Sequence, residues 1–129
     1  MTTSQFRNYL EANFPVHSIF NGASAPSPSI SVFPGPEARA SRTPYVGGPE
    51  CNDFKKLPVN ILVRWSDDTD VAFSKANEVY EFLVDKGNFI FESVKIAYIH
   101  LLDEMPIWLG RDEKNIVEYT IRADIYYFT

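Results

Sequence analysis

The sequence holds a single cysteine, Cys51, in 129 residues. No internal disulfide framework can form, and a reducing setting such as the cytosol is the default expectation. Histidine is almost as scarce, with only His17 and His100. Both fall in β-like runs without a GxSxG elbow, so nucleophile–base chemistry with Cys51 or a serine is not expected. Basic residues number 12 against 17 acids, for a formal net charge of −5, and no basic block is longer than Lys55-Lys56. That balance excludes a phosphate-binding footprint and charge-driven binding of nucleic acid. Nothing approaches the roughly 18 apolar residues that span a bilayer. The start, MTTSQFRNYLEANF, also lacks a basic segment leading into an apolar one. Neither an export signal nor a membrane span is expected.

Metal and phosphate motifs are missing too. There is no CxxC, HxxxH or EF-hand loop, and the glycines of Gly47-Gly48 and Pro34-Gly35-Pro36 do not lead into a helix. The acids of Asp67-Asp68-Thr69-Asp70 read as helix capping, because carboxylates at a helix start satisfy its open amides and its positive dipole end. Asp103-Glu104 and Asp112-Glu113 have no histidine or third acid beside them and read as solvated loop residues. The expectation is a protein with no catalytic, cofactor-binding or metal-binding residues, hence not an enzyme.

What is present suits one packed core. Apolar residues make up 45% and aromatics 15% of the chain, enough for a single domain over 1–129. Phe6, Tyr9, Leu10 and Phe14 recur at helical spacing, which predicts a helix over about 4–13 with Thr3 or Ser4 as cap and Pro15 as stop. Val16 to Phe20 and Ser29 to Phe33 read as short strands. Leu57 to Ser66 reads as a strand with Val59, Ile61, Val63 and Trp65 on its buried side. A long second helix follows from Val71, ended by Gly87. Ser93 to Leu102 is β-rich, and Ile116 to Phe128 alternates strictly, as a long half-buried strand antiparallel to the one before it. The fold class expected is α+β, a mixed and mostly antiparallel sheet with two helices packed on one face.

Two stretches resist a period. A long loop over 34–50 reads equally as a solvated loop or as a contact arm, with Arg39, Arg42 and Tyr45 as its contact residues. The second is Pro106 to Asn115, PIWLGRDEKN, read as a loop in which Gly110 supplies a positive φ.

Pro106-Ile107-Trp108-Leu109-Gly110-Arg111-Asp112-Glu113, then a short polar turn, then an alternating strand ending Ile125-Tyr126-Tyr127, resembles the carboxy-terminal part of small minor capsid proteins of long-tailed bacteriophages, the tail terminators or tail-completion proteins. NILVRWSDDTDVAFSKANEVYEFL fits the same layout, so the resemblance covers roughly 57–128, whereas the Pro/Gly/Ser-rich stretch at 21–50 departs from it. The resemblance implies a virion protein, present in the host cytoplasm during assembly. Its subunits would form a ring, typically a hexamer, at the head-proximal end of the tail. The ring would stop tail-tube polymerisation, meet the tail-tube protein on one face and the head–tail connector or neck on the other, and pass DNA through an acidic lumen without specific binding. Trp108, Arg111, Asp112, Glu113 and Lys114, with Arg39, Arg42 and Tyr45, would be its subunit and partner contacts. A neck or head-closure role in the same virion is the nearest alternative, and a small enzyme a more distant one.

Overall fold

Thr2 starts the first helix. Its hydroxyl accepts from the Gln5 amide at 3.2 Å, and the Gln5 side chain accepts from the Thr2 amide at 2.9 Å. This reciprocal box satisfies open amides at the helix start. Helix α1 spans Thr3–Asn13, so the cap lies one residue before the earliest one expected. Phe6, Tyr9 and Leu10 form its buried stripe. The structure, a computed structural model, describes residues 2–13, 19–21, 28–35 and 54–128. His17, Cys51, Arg39, Arg42 and Tyr45 lie outside the described residues, and so does all of the expected arm beyond Pro34 and Gly35.

The remaining elements are β1 (Ile19–Asn21), β2 (Ser29–Pro34), β3 (Phe54–Arg64), α2 (Thr69–Leu83), β4 (Gly87–Phe91), β5 (Val94–Leu101), β6 (Ile107–Arg111) and β7 (Val117–Phe128). They make one sheet in the order β1-β2-β3-β7-β5-β4, with β6 also paired to β7. Only β1 and β2 pair in parallel; all the other pairs are antiparallel. The protein is therefore α+β with a mostly antiparallel sheet, as the sequence predicts.

The period-2 runs decide which face is buried. Val59, Ile61 and Val63 sit opposite Ala123, Ile121 and Tyr119 on β7, and Val63 and Ile61 sit opposite Ile30 and Val32 on β2. All are buried, and Ala72, Ala76, Val79 and Leu83 of α2 together with Phe6, Tyr9 and Leu10 of α1 join the same core. Both helices thus cover one face. The opposite face is mixed, polar around Asn60, Thr120 and Arg122 and apolar at Ile90, Tyr98 and Phe128, with one surprise: Asp124 is buried there along with Ser29 and Ser31, although alternation alone marks position 124 as outward.

Helix α2 begins as its acids predict. Asp68 caps it, accepting from the amides of Asp70 at 2.9 Å and Val71 at 3.4 Å. Its end differs from expectation. Val84 is extended, Asp85 takes the left-handed conformation at φ 57°, and Gly87 opens β4 rather than closing the helix. Glycine is needed at 87 for a different reason: a Cβ there would lie 2.7 Å from the Ala97 carbonyl oxygen.

Strand β7 carries two partners on one edge. Its first residues pair with β6 and its later ones with β5, and each partner holds one extra residue, Leu109 in β6 and Ala97 in β5. These bulges end each ladder's flat register and bend the strands. The segment 106–115 is therefore not wholly a loop: its first half is strand β6. No described helix is long and apolar enough to cross a membrane.

Candidate interface around strand β6

The turn from β6 to β7 is assembled around Asp112. Its carboxylate accepts from the amides of Lys114 at 2.8 Å and Ile116 at 2.9 Å, while its own amide donates to the Ile116 carbonyl at 3.0 Å. Asn115 turns the chain at φ 65°. Across the sheet, Arg64 at the end of β3 pairs with the same carboxylate and approaches Glu118 at 3.6 Å. Arg111 is also engaged within the chain. It donates to the carbonyls of Asp67 at 2.7 Å and Asn115 at 3.1 Å and to the Thr69 hydroxyl at 3.2 Å, tying the turn to the start of α2. Of the four charged residues in this loop, Arg111 and Asp112 hold its shape. Glu113 and Lys114 point their exposed side chains outward without being needed for that shape.

Gly110 adopts φ 105°, a value that L side chains rarely take, which is the positive φ the sequence predicts. The entry to β6 is fixed equally firmly. Arg122 donates to both carboxylate oxygens of Asp103, at 2.9 and 2.7 Å, and the Tyr80 hydroxyl donates to the Asp103 carbonyl at 2.7 Å. Asp103 holds the Arg122 guanidinium above its ordinary pKa. Asp103, one of the acids read from sequence as solvated, is thus a strut.

Between these two anchored ends the strand presents apolar side chains to solvent. Trp108 is 48% exposed and Leu109 is 53% exposed. Trp108 packs edge-on against Tyr119 at 5.7 Å between ring centroids, and Phe73 of α2 packs edge-on against the other side of Tyr119 at 5.6 Å. Burial, aided by the nearby Asp70 charge, pushes the Tyr119 hydroxyl pKa up. The result is an aromatic ridge with a rigid base. Met105 at the β6 entry and Val71 in the first turn of α2 are exposed as well, Val71 on the side of the helix that faces Trp65, Ser74 and Lys75. Exposed apolar surface of this kind marks contact with other macromolecules more often than isolated apolar residues do.

No protein-family model, curated protein or solved structure matches this chain. His100, the one described histidine, is exposed on β5 with its ring 6.4 Å from that of Tyr98. Among the described residues no three metal-ligating side chains gather. Trp108 was singled out in the sequence, and the structure places it exposed against Tyr119. Phe73 and Tyr119 were not, since each reads as an ordinary element of a periodic helix or strand.

The Asp112 carboxyl has a depressed pKa. The Ile116 amide is the largest cause, burial opposes it, and the Arg64 guanidinium and Lys114 amide add to the lowering. A folded-state pKa below the unfolded one favours the folded chain above about pH 4, and that contribution is lost as pH falls through the folded value. Asp112→Asn keeps an oxygen for the two amides but removes the ion pair. The variant is expected to melt lower than the parent at neutral pH and to lose less stability on acidification. Melting temperatures from about pH 7 to pH 2 check this; an acid limb as steep as the parent's would rule it out.

Proposed function

We propose that the protein is a structural subunit of a tailed-bacteriophage virion, a tail terminator that assembles into a ring at the head-proximal end of the tail tube and joins it to the head connector. The observation that carries the reading is the anchored apolar ridge of Phe73, Tyr119, Trp108 and Leu109, within the segment whose sequence resembles that group. A surface built this rigidly and left uncovered in the single chain suits a permanent partner. The mechanism is geometric. A ring whose one face matches the tail-tube subunit and whose other face does not stops further addition, and the second face is then free to meet the neck. An acidic chain suits a lumen through which DNA slides without sticking.

Assembling virions without the protein tests this directly. Loss of a terminator gives tails of uncontrolled length. Normal free tails with heads that leak DNA would instead assign the protein to head closure. Tails and heads both unaffected would remove it from the virion altogether.

A further inference from the structure

The eight strongly exposed large apolar residues of the described chain fall into two groups. Val71, Phe73, Met105, Trp108 and Leu109 belong to the β6 ridge and the start of α2. Ile90, Tyr98 and Phe128 belong elsewhere. Ile90 on β4 pairs with Lys95 on β5, and Tyr98 pairs with Tyr126 on β7. The Lys95 ammonium lies 5.0 Å from the centre of the Phe128 ring. Since Ile96 and Ile99 point into the core, these residues occupy the face of the sheet that the helices leave uncovered. Ile90 is the most exposed of all, at 71%.

The two groups differ in charge as well as position. Around the ridge stand Asp67, Asp68, Asp70 and Glu113, against Arg111, Lys114 and Lys75; Arg111 is engaged with Asp67, Asn115 and Thr69, and Lys75 with Glu78 at 2.7 Å. Beside the second group stand Lys95 and, opposite Tyr126 on β3, Lys56, while the acid on that face, Asp124, is buried. The nearby acid Glu92 is turned toward α1, where it accepts from Asn8 at 3.4 Å. One patch is apolar with an acidic rim, the other apolar with a basic rim. They lie on opposite faces, and the run of β7 from Tyr119 to Phe128 separates them by roughly 30 Å.

We infer that these patches are two halves of one contact between copies of this chain: the Ile90/Tyr98/Phe128 patch of one copy docks on the Trp108/Phe73 ridge of the next, with Lys95 and Lys56 facing Asp70 and Glu113. The inference rests on the ring-forming reading and supplies its subunit contact. Unlike patches on one chain cannot pair symmetrically in a twofold dimer. They join head to tail, and repetition of such a contact closes a ring or runs on as a filament. Opposite rims steer the encounter and fix its register, while the apolar centres supply the adhesion.

The test is a charge exchange read by native mass, through sedimentation or light scattering across concentration and salt. Lys56→Glu/Lys95→Glu and Asp70→Lys/Glu113→Lys are each expected to raise the concentration for half-assembly by about tenfold or more. An equal mixture of the two variants restores assembly, because every contact then joins opposite charges. Ile90→Ser, at a position too exposed to affect folding, weakens assembly without changing the melting temperature measured at a dilution where the parent is dissociated. Variants that assemble like the parent, or a mixture that stays as weak as its components, would overturn the contact. A parent that remains monomeric at every concentration would overturn it too. Tail-length measurement on particles made with the same variants judges the terminator reading separately: normal tails built from charge-reversed subunits would sink this contact and leave that reading standing.

Discussion

Replacing Tyr9 with alanine is expected to lower the unfolding free energy by about 3–5 kcal/mol, the range for removing a large buried aromatic. Tyr9 is nearly buried and, with Phe6 and Leu10, carries α1 into the core. Its ring stacks on Phe89 of β4 at 4.8 Å, meets Phe91 edge-on at 5.5 Å, and lies 6.1 Å from Phe82 of α2 and 6.3 Å from Phe6 of its own helix. A helix of 11 residues has little stability alone, so its order depends on this packing. Burial raises the Tyr9 hydroxyl pKa, and Tyr9→Phe separates that group from the ring. The phenylalanine variant should keep most of the stability that alanine loses. Urea unfolding of both variants measures the difference; a loss below about 1 kcal/mol for Tyr9→Ala would mean that α1 docks by other contacts.

Ile61→Ala is the second large effect, with an expected loss of about 2–5 kcal/mol. Ile61 is fully buried in the middle of β3, between Val32 on β2 and Ile121 on β7. Neighbouring strands on both sides limit how far the cavity can collapse, which favours the upper part of the range. Its chain neighbour Leu62 points to the other face and is only partly covered. Leu62→Ala should therefore cost clearly less. Equal losses at 61 and 62 would contradict the assignment of faces.

The elements that could be read from sequence were those whose burial is one-sided. Over 59–63 of β3 and 117–125 of β7 the odd positions are buried and most even ones are not, so alternation in hydrophobicity reports the geometry directly. Helix α2 was legible because Asp68 marks its start and Ala72, Ala76, Val79 and Leu83 repeat at helical spacing. Strand β4 was not, because Ile90 is apolar yet faces solvent between Phe89 and Phe91, which hides the alternation. Strand β6 was hidden for the same reason: Ile107, Trp108 and Leu109 are consecutive apolar residues, two of them exposed, followed by a glycine. Apolar residues left exposed look like noise to a pattern that measures burial within one chain. The ion pairs that build the site were out of reach for another reason. Arg64 and Asp112 are 48 residues apart, and nothing local announces their meeting.

The bulge at Leu109 bears on how such a chain survives at high concentration. A straight outer strand offers evenly spaced amides and carbonyls on which a foreign strand can template, the first step toward irreversible clumping. One supernumerary residue in the middle of a five-residue strand breaks that spacing. The sheet margin is thereby made unattractive to other backbones, while its side chains remain on offer to a surface that matches them in shape and charge.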